Sequence, residues 1–185
     1  MLLNTKTKKT AATESTKIIV CDEVPSVFVG KPNDILNKHL GEIENGKFYQ
    51  FYSSGRFSMT DVMLHILRQT GPAHVLCGTW SISQESIDQL LKLYIRGGIL
   101  SMSFVLDPRI KITKAKPLQM LKANFKYVFK PWHAKVTTIE NKDWTISIVS
   151  SQNMTQNPKI ERGCIFTDQA TFNFDKNVLL NELQK

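Results

Sequence analysis

The stretch WHAKVTTIENKDWTISIVSSQNMTQNPKIE, Trp132–Glu161, decides how this chain is read. Two runs, 132–139 and 144–150, are rich in Val, Ile, Thr and Trp and are parted by the polar turn Glu140-Asn141-Lys142-Asp143. β-Branched and aromatic residues favour strands, so the runs predict an antiparallel hairpin. Residues two apart on a strand share a face. His133 and Lys135 are then expected to project together, and Ser151 and Asn153 do the same if the second strand reaches them. The hairpin sets the two pairs side by side. An imidazole, an ammonium, a hydroxyl and a carboxamide with no acid between them suit the holding and attack of a phosphate.

His133-x-Lys135-x4-Glu140, then Ser150-Ser151-x-Asn153, then Glu161 resembles the signature of the phospholipase D superfamily. Flanking segments resemble it too: Ala73–Trp80 (AHVLCGTW), a helical stretch over 83–96, and the run Arg96–Asp107 (RGGILSMSFVLD). The resemblance spans residues 58–184. Glu140 stands where the family usually has Asp, Ser150 where it usually has Gly, and the turn is longer than the common pattern. The resemblance implies an α/β fold, a mixed β-sheet flanked by helices, with one motif per chain. It implies that His133 is the nucleophile, that Lys135 and Asn153 bind phosphate, that Ser151 helps to position it, and that Glu161 orients a histidine. Glu140 is expected to be a turn or structural acid. The family's scheme uses two histidines, and this chain has one His-x-Lys pair. Short single-motif nucleases of the family are dimers, so a homodimer sharing one site across a two-fold axis is expected. No cofactor and no metal is expected.

Working outward, Ser58 or Thr60 caps a helix over 61–69, ended by Gly71-Pro72. Val75–Trp80 and Ile99–Leu106 read as buried parallel strands joined by a helix over 84–96, which Ser83 caps and Gly97-Gly98 terminates. Together they predict a βαβ crossover. Lys116–Phe125 reads as a short helix, Tyr127–Phe129 and Gly163–Thr167 as strands, and Asp168–Leu183 as a closing helix with Phe172, Val178, Leu179 and Leu183 inward. Upstream, Lys17–Cys21, Ser26–Val29 and Lys47–Tyr52 are strand candidates, with a helical turn at 34–40. Residues 1–16, polar, small and basic, predict a disordered tail before a single domain over 17–185.

With 185 residues, 42% hydrophobic and 22% charged, the chain has room for a real core and the composition of a globular protein. No apolar run is long enough to span a bilayer, so no membrane insertion is expected. No apolar h-region follows the N-terminal lysines, and Cys21, Cys77 and Cys164 are odd in number and widely spaced. A cytoplasmic protein with reduced thiols is the expectation.

The net charge is +8. Between Pro108 and Ile139 there is no Asp or Glu, while Arg109, Lys111, Lys114, Lys116, Lys122, Lys126, Lys130 and Lys135 all fall there. Such a one-signed run beside a site predicts a polyanionic partner, nucleic acid first, with DNA ahead of RNA. Lys130, the last cation before His133, and Trp80, at a strand end on the expected site rim, are the candidate substrate contacts. A phosphodiesterase cutting nucleic acid leads, ahead of a nucleic-acid-binding module with a degraded site and of a phospholipid hydrolase.

Overall fold

The computed structural model describes residues 16–19 and 32–184. Along the chain come β1 (Thr16–Ile19), α1 (Pro32–His39), β2 (Phe48–Ser54), α2 (Met59–Thr70), β3 (Ala73–Thr79), α3 (Gln84–Ile95) and β4 (Ile99–Leu106). The single turn α4 (Ile110–Thr113) leads to α5 (Ala115–Asn124), β5 (Lys126–Phe129), β6 (Val136–Glu140), β7 (Thr145–Ser150), β8 (Ile160–Phe166) and α6 (Gln169–Gln184). Of the expected tail only Thr16 is described, and it opens β1. Cys21 and the strand expected at Ser26–Val29 lie outside the described residues.

The described strands form one eight-stranded mixed sheet in the order β1-β2-β8-β7-β6-β3-β4-β5. Parallel pairing joins β3 to β4 and β4 to β5, with α3 as the crossover of the first pair. The β6–β7 hairpin runs antiparallel between β3 and β8. These directions bring the C-terminal ends of β2, β3, β4, β5 and β7 to one sheet edge, where β6 and β8 begin. Loops at that edge carry the residues of the signature.

Alternation sorts the two faces. Val75 and Cys77 on β3, Ile139 on β6, Ile146 and Ile148 on β7, and Tyr49 and Phe51 on β2 join one buried cluster with Val62, Met63 and Ile66 of α2 and Ile87 and Leu90 of α3. Ser58 caps α2 through a capping box with Asp61, and Ser83 caps α3 by accepting from Ser86 N, satisfying N–H groups that a helix start leaves without partners. On the opposite face α6 packs against β7, β6, β3, β4 and β5. None of the described helices is long and apolar enough to cross a membrane.

Two expectations need correction. Residues 132–135 are loop, since the β6 ladder starts at Val136 opposite Val149. His133 and Lys135 are therefore not placed by strand alternation. Val178 is 39% exposed, whereas Phe172 and Leu179 are buried. At about 100° per residue, Val178 lies well off the line through Phe172 and Leu179, and Asp175 and Lys176 occupy the inner face instead.

Candidate active site

The loop before β6 is pinned at its start by Trp132. Its indole lies on Gly78 of β3, where a Cβ would collide with the ring. The Trp132 backbone N–H also donates to the carboxylate of Asp107, just past β4. At the other end the carbonyl of Lys135 accepts from Ser150 N at 3.0 Å, one step beyond the regular ladder. Held from both sides, His133 is exposed, while Lys135 is only 8% exposed. The Lys135 ammonium donates to the carbonyl of His133 at 2.6 Å and lies within 3.5 Å of both ring nitrogens. Burial pulls the Lys135 pKa below its ordinary value; the Glu161 charge opposes this and the Arg109 charge adds to it. A buried cation under an exposed imidazole is poised to meet an anion.

Across the edge, Ser151 and Glu161 form a second group. Ser151 N donates to Arg162 O at 2.9 Å, and Arg162 N donates back to the Ser151 hydroxyl at 3.1 Å, which carries the β7–β8 pairing past Ser150. The Ser151 hydroxyl then donates to one Glu161 carboxylate oxygen, and Asn157 Nδ2 donates to the other at 2.6 Å. Gln152 turns inward, fully buried, and its amide donates to Phe57 O. Met154 fastens the segment to the start of α3: its N donates to Ser81 O, and its carbonyl accepts from Ser83 N and the Ser86 hydroxyl. Asn153, between these anchors, is half-buried, and its Oδ1 has no hydrogen-bond partner among the described residues. Ser150, in the usual glycine position, donates its hydroxyl to Arg162 O at 3.0 Å, so the extra side chain is absorbed by the pairing.

His133, Lys135, Ser151, Asn153 and Glu161 thus gather at one sheet edge, and Glu161 is electrostatically coupled to Lys135. No hydrogen bond joins His133 to Glu161 or Asn153 among the described residues. Glu140 is placed elsewhere, at the far end of β6, where Lys176 of α6 binds it at 2.6 Å. The longer turn after it is closed by Asn141, whose Oδ1 accepts from Asp143 N and Trp144 N while its Nδ2 donates to Thr70 O and Pro72 O. His65 is packed within α2, its Nε2 2.9 Å from Gly41 O. Lys130 is half-buried, its N–H donating to Leu106 O, and its ammonium touches no site residue among the described residues.

Trp80 does reach the site: its ring centroid lies 5.9 Å from that of His133. Arg109, which the sequence showed only as one cation of a run, sits over the same indole at 4.9 Å. Asp107 holds it there through bonds from Arg109 N, Nε and Nη2. The signal for this pair was an Asp-x-Arg at the end of a buried strand. Two clefts, one beside Glu140 and Asn141 and one between α6 and β5, lie away from these residues. His133 and Ser151 are exposed at this sheet edge.

No protein-family model and no curated protein sequence matches the chain. Solved structures do. NucT from Helicobacter pylori is 17% identical, with a TM-score of 0.56, and the match covers 75% of this chain and 97% of NucT. TrmBL2, an archaeal chromatin protein, is 10% identical at a TM-score of 0.51 over 76% of this chain and 52% of its own. Polyphosphate kinase from Porphyromonas gingivalis is 13% identical at 0.51, over 82% of this chain but a quarter (25%) of the kinase. NucT and the kinase both carry the phospholipase D architecture. With a mixed sheet flanked by helices, the chain has this phospholipase D-like fold.

Proposed function

We propose that the protein is a phosphodiesterase that needs no metal, an endonuclease hydrolysing nucleic acid through a phosphohistidine at a site shared by two copies of the chain. The observation that carries this reading is the buried Lys135 ammonium fixed beneath the exposed His133 imidazole, at the sheet edge that also carries Asn153 and the Ser151–Glu161 pair.

The chemistry follows from what a phosphodiester lacks. Its oxygens repel nucleophiles and its leaving alkoxide is poor. Lys135 and Asn153 neutralise and orient the non-bridging oxygens, most strongly as charge develops. A ring nitrogen of His133 attacks phosphorus, and the bond to the leaving oxygen breaks as that oxygen takes a proton from His133 of the partner subunit. Water then attacks the phosphohistidine, giving its proton to the same partner imidazole and releasing His133. Glu161, fixed by Ser151 and Asn157, supplies the carboxylate that supports an imidazolium. One chain presents one such imidazole, exposed at the sheet edge, which is why a second copy is part of the proposal. The acid-free basic run before His133 supports a polyanionic substrate. The likeness to NucT, a nuclease, supports nucleic acid, and the likeness to a chromatin protein described as showing a novel mode of DNA binding puts DNA first. A cytoplasmic setting is part of the same reading.

A gel assay in EDTA, run beside sedimentation of the same preparation, tests it. The expected result is cutting of DNA or RNA by a dimer, abolished by His133→Ala. Cutting that survives His133→Ala removes the imidazole from the mechanism. Tight, salt-dependent DNA binding with no turnover points to a degraded binding module. Release of choline from phosphatidylcholine vesicles points to a lipid substrate.

A further inference from the structure

Asp107, just past β4, has a side chain only 6% exposed, while the Arg109 side chain that it binds is 60% exposed. That asymmetry is informative. The carboxylate takes Arg109 Nε at 2.8 Å and Nη2 at 3.2 Å, along one edge of the guanidinium. A guanidinium has a second fork, between Nη1 and the outer N–H of Nη2, and it suits the paired oxygens of a phosphate. Nη1 makes no hydrogen bond among the described residues. Asp107 also binds Arg109 N and Trp132 N, so the same carboxylate orients the arginine and the loop that carries His133.

Trp80 contacts both groups: its ring centroid lies 4.9 Å from the guanidinium and 5.9 Å from the centroid of the His133 imidazole. Guanidinium and imidazole thus rest against one aromatic side chain. The Arg109 charge is felt at Lys135, whose ammonium it disfavours. That repulsion is relieved when an extended polyanion bridges the two cations.

We propose that Arg109, seated on Trp80 by Asp107, binds the phosphate next to the scissile one, so that the substrate is an internal linkage of a nucleic-acid strand. A compound with one phosphodiester fills the His133–Lys135 seat alone and leaves the Arg109 fork empty. This deepens the phosphodiesterase reading and rests on it. Arg109 is a binding residue here, and Asp107 a positioning residue.

The test compares a single-stranded oligonucleotide with bis(4-nitrophenyl) phosphate, which has one diester and no neighbouring phosphate. Arg109→Gln is expected to lower the ratio of kcat/KM for the oligonucleotide over the small diester by about tenfold, the scale of one charge-assisted hydrogen-bonded contact. The loss should appear mainly in KM, and Asp107→Asn should reproduce it in part. An unchanged ratio overturns the proposal, as does an equal fall on both substrates, which is the mark of a damaged fold. If the unaltered protein cuts neither compound, the phosphodiesterase reading fails, and the second seat is then read by binding alone. A trinucleotide with two phosphates should bind the unaltered protein about tenfold tighter than a dinucleotide with one, and Arg109→Gln should erase the difference. Equal binding of the two by the unaltered protein overturns the proposal.

Discussion

The side chain of Lys135 turns back on its own loop and donates to the carbonyl oxygen of His133 at 2.6 Å. The cation is thereby held against the backbone of the residue that carries the imidazole. Lys135→Met keeps the buried stem and removes the charge. Cleavage should fall by about 10²–10³, the cost of deleting one group that stabilises developing charge. Lys135→Arg should not restore it, because a planar fork does not replace a compact ammonium at a position only 8% exposed. Single-turnover rates of the two variants decide the matter, with thermal melting to show that both are folded. Full activity in Lys135→Met excludes a role for the ammonium.

Glu161 sets the upper pH limit of that ammonium. Burial lowers the Lys135 pKa, and the Glu161 carboxylate raises it part of the way back. Activity that needs protonated Lys135 is present below the folded pKa and is lost as pH rises through it. Glu161→Gln keeps a side chain able to bond Ser151 and Asn157 but removes the charge. The alkaline fall of kcat/KM should therefore shift to lower pH. An alkaline limb at the same pH in both proteins separates Glu161 from Lys135.

Much of this architecture was legible in one sequence because local signals agreed with the final packing. Ser58 and Ser83 cap the helices they were expected to cap, and the apolar runs 75–80 and 99–106 became the parallel pair β3–β4. The spacing also marked five residues as neighbours, and His133, Lys135, Ser151, Asn153 and Glu161 do lie at one sheet edge, their roles being part of the proposal. What the spacing did not carry was the reason they meet. Alternation along a strand was the expected device, but Trp132 leaves the strand to lie on Gly78, and the loop is held by Asp107 and Ser150. Such long-range anchoring leaves no periodic trace. Arg109 was hidden for a related reason: among eight cations in a row, only contact with Asp107 and Trp80 marks it out.

Gly78 carries the next prediction. A methyl group there has no room beneath the Trp132 indole, and the strand around it is tied on both sides to β4 and β6. The ring must therefore move, and the His133 loop with it. Gly78→Ala should destabilise the fold by about 1–3 kcal/mol, the usual cost of overpacking. It should also reduce cleavage at temperatures where the protein is still folded. Unchanged melting together with unchanged cleavage would mean that Trp132 does not anchor the loop.

A stabilising change lies on the other face of the sheet. Asp175 of α6 accepts a hydrogen bond from the hydroxyl of Ser147, which is fully buried. Burial raises the Asp175 pKa above the usual 3.8, and the Ser147 bond only partly offsets this. Between 3.8 and the raised value the folded chain holds more protons than the unfolded one, so stability falls as pH rises through that window. At neutral pH the whole penalty is present. Asp175→Asn keeps an acceptor for Ser147 and removes the charge, so it should melt at a higher temperature at pH 7. The gap should narrow as pH drops, and its ionic part should vanish once both states are protonated. Melting curves of the two proteins across the acid range provide the test. A variant that melts lower at pH 7, or a gap that ignores pH, would show that the carboxylate is not strained by its burial.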